Sequence, residues 1–138
     1  KKWAQFAVDA GAHLVLGHHP HVLQPLEYLE SKQGHRALVI YSLGNFIAAQ
    51  DQLHRRVGGI LQVEAVIDED LYKQSMLRIE NPRFVPTYVA FENWRNYEII
   101  PLEHISEERL PNAAQIVEET KEHMTQLLPE LEFGERPW

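Results

Sequence analysis

The 138-residue sequence contains no cysteine. That excludes disulfides, thiolate metal sites and thiol nucleophiles, and fits either a cytoplasmic or an extracellular domain held together by its core. Positive charge is also scarce: 13 Lys and Arg stand against 20 Asp and Glu, a formal net charge of -7. With no basic run and no interleaving of basic and aromatic residues, the composition argues against a nucleic-acid surface. An anionic substrate would have to be drawn in locally, most readily by a metal. No apolar run approaches the roughly 20 residues of a membrane-spanning helix. No signal peptide, internal repeat, low-complexity tract or linker is visible. The first residue is Lys1 rather than Met, so the chain is expected to be a piece of something longer.

What the sequence does have is a core and a histidine cluster. Hydrophobic residues make up 44% of it, enough for one core in a single domain spanning 1–138 and too little length for two. Of its eight histidines, three fall within Gly17-His18-His19-Pro20-His21. Neutral imidazole is the commonest metal ligand and exchanges protons near neutral pH. The loop follows the apolar run His13-Leu14-Val15-Leu16, which reads as a strand buried on both faces. Two readings stand open. His18, His19 and His21 are ordinary polar loop residues; or Gly17 turns the backbone sharply, Pro20 stiffens the loop, and the alternation His19-x-His21 sends two rings to one metal centre. Zinc-finger spacing is absent.

Around this loop the pattern predicts a scaffold. Trp3, Phe6, Ala7 and Ala10 at helical spacing, stopped by Gly11, give a short amphipathic helix with that stripe inward. Leu23–Leu29, with Pro25 suggesting an edge position or a strand start, and Arg36–Leu43 form a hairpin through the Ser31–Gly34 turn. Gly44-Asn45-Phe46 closes the second strand; Asn45 is either a metal or oxyanion group or a turn residue. Asp51 to Arg56 reads as a polar loop in which Arg55 and Arg56 either hold an anionic substrate or are simply solvated. Ile60–Ile67 is a strand that turns at 68–70 into a partner at 71–79. Asn81-Pro82 breaks the chain. Phe84–Phe91 and Tyr97–Leu102 are two more strands placed near an edge or bend by their prolines, and Tyr88, Phe91, Trp94 and Tyr97 are either a ligand platform or, as large aromatics usually are, core. A final helix starts at Asn112 with Gln115 completing a capping pair, carries Ile116, Val117, Thr120, Met124, Leu127 and Leu128 on one face with His123 beside them, and ends at Pro129. Residues 130–138 read as a frayed tail.

The run from Asp9 to Gln24, which includes Gly17-His18-His19-Pro20-His21, followed by Tyr41-Ser42-Leu43-Gly44-Asn45-Phe46-Ile47, resembles the C-terminal part of CapA-type proteins of poly-γ-glutamate capsule synthesis, over about the first 65 residues. That family is similar to the calcineurin-like metallophosphoesterases. The resemblance implies part of an α/β/β/α sandwich with a two-metal site at its strand ends. It implies His21 and His19 as metal ligands and His18 as a proton donor to a leaving group. It further implies Mn, Fe or Zn as the ions, an anionic polymer or phosphate-containing substrate, capsule synthase subunits as partners, and the outer face of the cell membrane as location. The superfamily's Asp-x-His, Gly-Asp-x-x-Asp and Asn-His elements are missing, and Phe46 stands where Gly-Asn-His would have its histidine. A centre with two ions about 3.5–4 Å apart needs those carboxylates. The expectation is an α+β fragment of mixed and antiparallel strands with flanking helices. It would contribute one wall of a hydrolase site, be inactive alone, and be prone to pair with itself where its missing N-terminal half should lie. The competing reading, from a different class, is a non-catalytic binding or assembly module for capsule polymer synthesis.

Overall fold

The computed structural model describes residues 1–69 and 75–134. Residues 70–74, which include the end of the expected turn and the start of its partner strand, lie outside the described residues, as do 135–138 of the tail. The chain opens with α1 (Lys2–Asp9) and β1 (Leu14–Leu16), followed by the antiparallel hairpin of β2 (Leu23–Glu30) and β3 (Arg36–Leu43). Together they make one sheet in the order β1-β3-β2, with β1 parallel to β3. Successive side chains of a strand point to opposite faces, and β3 obeys this closely. Ala37 and Val39 meet Ala4 and Val8 of α1 on one face, while Leu38 and Ile40 enter the main core on the other.

A helical turn, α2 (Leu53–Arg56), leads into the second sheet of β4 (Val57–Glu69), β5 (Ser75–Glu92), β6 (Arg95–Pro101) and β7 (Glu132–Phe133). β5 is its central strand. A 3-10 turn at Leu102–His104 precedes α3 (Ala113–Met124). Leu26, Leu38 and Ile40 from the first sheet, Ile79 and Phe84 from β5, Met124 at the end of α3 and Leu128 beyond it share one core. Burial of each such side chain contributes about 1.5–3 kcal/mol. Val57, Tyr88, Ile100 and Val117 form a neighbouring core. The two sheets touch at one corner through an antiparallel bridge between Gly44 and Gly58. The architecture is α+β, with mixed and antiparallel strands and flanking helices, as expected from the sequence.

Several local expectations are corrected. In α1 the small Ala4 and Val8 face the sheet, and Trp3 (84% exposed) and Phe6 (65%) pack edge to face on the outside; the helix sits directly on Ala37 and Val39. β1 is an edge strand rather than one buried on both faces, and its Leu16 is 54% exposed. Asn81-Pro82 does not break the chain: β5 runs through it with a register shift opposite Gln62 and Glu64, where Asn81 takes a left-handed φ of 50°. A bulge absorbs the proline that a regular ladder would reject. Pro86 lies in a central strand, not at an edge. On the side away from β4, it falls between Phe84, paired with β7, and Thr87, paired with β6, where that ladder is already interrupted. Residues 53–56 are helical rather than loop.

Trp94 is exposed and stacks on Phe91, so of the four aromatics only Tyr88 is fully core. Asn112 precedes α3 in a left-handed conformation and makes no side-chain cap. The Glu107 carboxylate accepts instead from the N–H groups of Asn112 and Ala114, the favourable position for an anion at a helix start. α3 ends at Met124, before Pro129, and within the expected frayed tail β7 pairs with Arg83 and Phe84 of β5.

Candidate functional site

The site follows from the strand order. β3 lies between β1 and β2, so the loop 17–22 must cross the end of β3 to join its two neighbours, a span of roughly 10 Å at ordinary strand spacing. Two backbone hydrogen bonds hold the near end: Gly17 donates to Ile40 O at 2.9 Å and accepts from Leu43 N–H at 3.1 Å. A Cβ on Gly17 would stand 2.1 Å from Tyr41 O. Glycine is therefore needed here for close approach to β3, and Gly17 is not among the residues with positive φ. The left-handed residue of the loop is His21, with φ 61°, and the loop closes on itself as His21 N–H reaches His18 O at 3.4 Å.

Continuing the β2/β3 register from Leu23 opposite Leu43 brings His21 opposite Asn45. His21 Nδ1 lies 2.8 Å from Asn45 Oδ1. Asn45 is 7% exposed, and its Nδ2 donates to Gln50 Oε1 at 3.0 Å and to the backbone carbonyl of Arg55, in α2, at 2.9 Å. Gly58 permits this: a Cβ there would meet Asn45 O at 2.1 Å. His18 and His19 are exposed, and their rings make no hydrogen bond among the described residues.

Of the two arginines, Arg56 is engaged in structure. Its Nε donates to Val89 O at 2.9 Å and its guanidinium lies 4.5 Å over both Tyr88 and Phe91. Arg55 holds a buried Nε with no partner among the described residues, a donor that is costly to leave unmet.

A hollow of about 420 Å³ opens beside the loop, lined by Val22, Leu23, Leu53 and His54 and, from α3, by Ile116 and His123. It is mainly apolar. His123 Nε2 lies 3.1 Å from Leu23 O, so this histidine braces the start of β2. A larger hollow, about 740 Å³, is lined by Tyr28, Arg36, Arg78 and Glu80 among others and shares no residue with the loop. No three His, Asp or Glu side chains come together in a metal-holding arrangement among the described residues. The donor set present does not fit a two-metal centre, and no reaction step can be built through one on these residues alone. Sequence reading missed Gln50, the Arg55 carbonyl and the bracing by His123. The Asn45 contact was available in principle from the hairpin register.

Residues 1–50 match the family described as bacterial capsule synthesis protein PGA_cap. The chain is 37% identical over 62 residues to the PGA biosynthesis protein CapA of Bacillus subtilis (strain 168), covering 45% of this chain and 15% of that protein. It is 42% identical over 59 residues to the capsule biosynthesis protein CapA of Bacillus anthracis, covering 43% of this chain and 13% of the relative. The match thus spans about a seventh of the length of these relatives. No solved structure matches the chain. The resemblance to CapA-type capsule biosynthesis proteins is shown over the part that carries the histidine loop and Asn45.

Proposed function

We propose that this chain is part of a CapA-like protein of capsule or cell-envelope polymer synthesis. In this reading its histidine loop forms one wall of a hydrolytic site whose carboxylate groups come from outside these 138 residues. One observation carries the reading. The two motifs that the resemblance rests on, 24 positions apart, meet in a single contact between His21 and Asn45 at 2.8 Å beyond the end of β3. Function in open sheets collects beyond strand ends, and a ring held from one nitrogen by a buried amide is the arrangement that orients a ligand or a proton acceptor. His21 is the leading donor, His19 a second donor on the exposed face of the loop, and His18 a proton donor. Arg55, whose backbone carbonyl accepts from Asn45, is the basic residue this reading offers to an anionic polymer or phosphate. In the complete protein, divalent ions bound with the missing carboxylates would supply a polarised or activated oxygen.

The test compares this chain with a longer one that includes the preceding couple of hundred residues, each assayed for hydrolysis of a generic phosphodiester with Mn, Fe or Zn added. The chain alone is expected to show no metal-dependent turnover, and the longer protein to show turnover that His21→Ala abolishes. Turnover by these 138 residues would refute the one-wall reading. An inactive longer protein lacking Asp-x-His and Gly-Asp motifs would favour the assembly-module reading instead.

A further inference from the structure

We infer that Asn45 is a positioning residue that fixes the tautomer of His21, keeping the proton on Nδ1 and leaving the Nε2 lone pair free. The geometry is independent of the preceding reading; only the use made of that lone pair rests on it.

The tautomer depends on which end of the Asn45 amide faces which neighbour. The oxygen and nitrogen of an amide cannot be told apart by shape, and a histidine nitrogen can donate or accept, so the assignment has to come from a group with a single role. The Arg55 carbonyl is such a group. A backbone oxygen only accepts, and the amide atom 2.9 Å from it must therefore be the NH₂ of Asn45. Gln50 Oε1, 3.0 Å away, takes the second hydrogen of that NH₂. The remaining end of the amide, Oδ1, is then an acceptor held 2.8 Å from His21 Nδ1. Two acceptors cannot share a hydrogen bond, so Nδ1 carries the proton and Nε2 is bare in the neutral ring.

Two further features make this a constraint rather than a passing contact. Asn45 is 7% exposed, and flipping its amide would set its oxygen against the Arg55 oxygen, losing the bonds on both sides inside a site where unmet polar groups are costly. His21 is also held by its own backbone, in a left-handed conformation with φ 61° and opposite Asn45 in the continued hairpin register. The chain of contacts therefore runs from the α2 carbonyl through Asn45 to the ring of His21. Removing Asn45 leaves the imidazole in place but releases its proton to either nitrogen.

The experiment is a long-range ¹H–¹⁵N correlation spectrum of this chain at alkaline pH, with the His21 ring assigned by its loss in His21→Asn. It needs neither metal nor substrate. The expected result is a protonated, pyrrole-type Nδ1 and an unprotonated Nε2 for His21. A protonated Nε2 in the unmodified chain overturns the inference. Asn45→Asp still offers Nδ1 an acceptor but loses the NH₂ that meets Arg55 O and Gln50 Oε1, so it should be less stable in urea while its folded form keeps the Nδ1–H tautomer. Asn45→Ala, with far-UV circular dichroism unchanged, should show a mixture of both forms. A folded Asn45→Ala that stays wholly Nδ1–H overturns the role of Asn45; if that variant does not fold, the tautomer of the unmodified chain decides. The Nδ1–H form together with an inactive longer protein would sink the proposed function and leave this inference standing, and the converse pair would do the reverse.

Discussion

Gly17→Ala is the sharpest probe of how the loop is built. The added methyl would lie 2.1 Å from Tyr41 O and 2.7 Å from the Tyr41 carbonyl carbon, where ordinary contact begins at 3.4 Å. Both atoms belong to the backbone of β3, a strand paired on both sides, so the end of β1 must retreat by about 1 Å. That retreat loosens the two bonds that tie Gly17 to β3, at 2.9 and 3.1 Å. Each is worth about 1 kcal/mol net when fully formed; losing about half of that from the pair and adding crowding of about 1–3 kcal/mol, the variant should lose roughly 2–4 kcal/mol. With a urea slope of about 1–3 kcal/mol per molar, the midpoint should fall by about 1–2 M. Gly11→Ala is the comparison. It has φ 103° but nothing within 4 Å of the new Cβ, so it carries only backbone strain of about 1–2 kcal/mol. Urea melts followed by circular dichroism read both. A Gly17→Ala midpoint equal to that of the unmodified chain would refute the close-approach account of this glycine.

Two further outcomes are expected. Burial alone would raise the Glu27 carboxyl, but the Tyr41 hydroxyl at 2.6 Å and the Lys1 ammonium at 3.0 Å outweigh it and hold it below the ordinary range. Its stabilisation is present above the unfolded carboxylate range and is lost as pH falls. Burial and the same contact push Tyr41 well above the tyrosine range, so its share is lost as pH rises beyond about 10. Tyr41→Phe should cost about 1 kcal/mol near neutral pH and flatten both flanks of a stability–pH curve, and an unchanged alkaline flank would contradict this. The exposed Trp3 and Phe6 of α1, with Leu16 at the free edge of β1, should make the chain self-associate at high concentration. Size-exclusion chromatography with light scattering should show this association, reduced by Phe6→Glu, and a clean monomer at high concentration would count against it.

Alternation and turn chemistry made the hairpin of β2 and β3 legible in the sequence. Ser31 to Gly34 could only turn the chain between two apolar runs, but the register of Leu23 with Leu43, and with it the facing of His21 and Asn45, was supplied by the structure. The histidine loop and its likeness to capsule synthesis proteins were equally legible, because both are local in sequence. Which apolar residues of α1 face inward was not legible. Trp3 and Phe6 share helical spacing with the true inner pair, Ala4 and Val8, and only the small side chains of β3 decide that the helix sits close. The prolines of β5 misled for a related reason: a proline forbids a regular ladder, but a bulge or a gap between two partner strands removes the conflict, and both depend on the neighbouring strands. The roles at the site were decided in the same way. Arg56 is drawn to Tyr88 and Phe91, and Asn45 is turned toward His21 by a carbonyl ten residues further on. Sequence determines what a side chain can donate or accept; only the packed chain determines which partner is within reach.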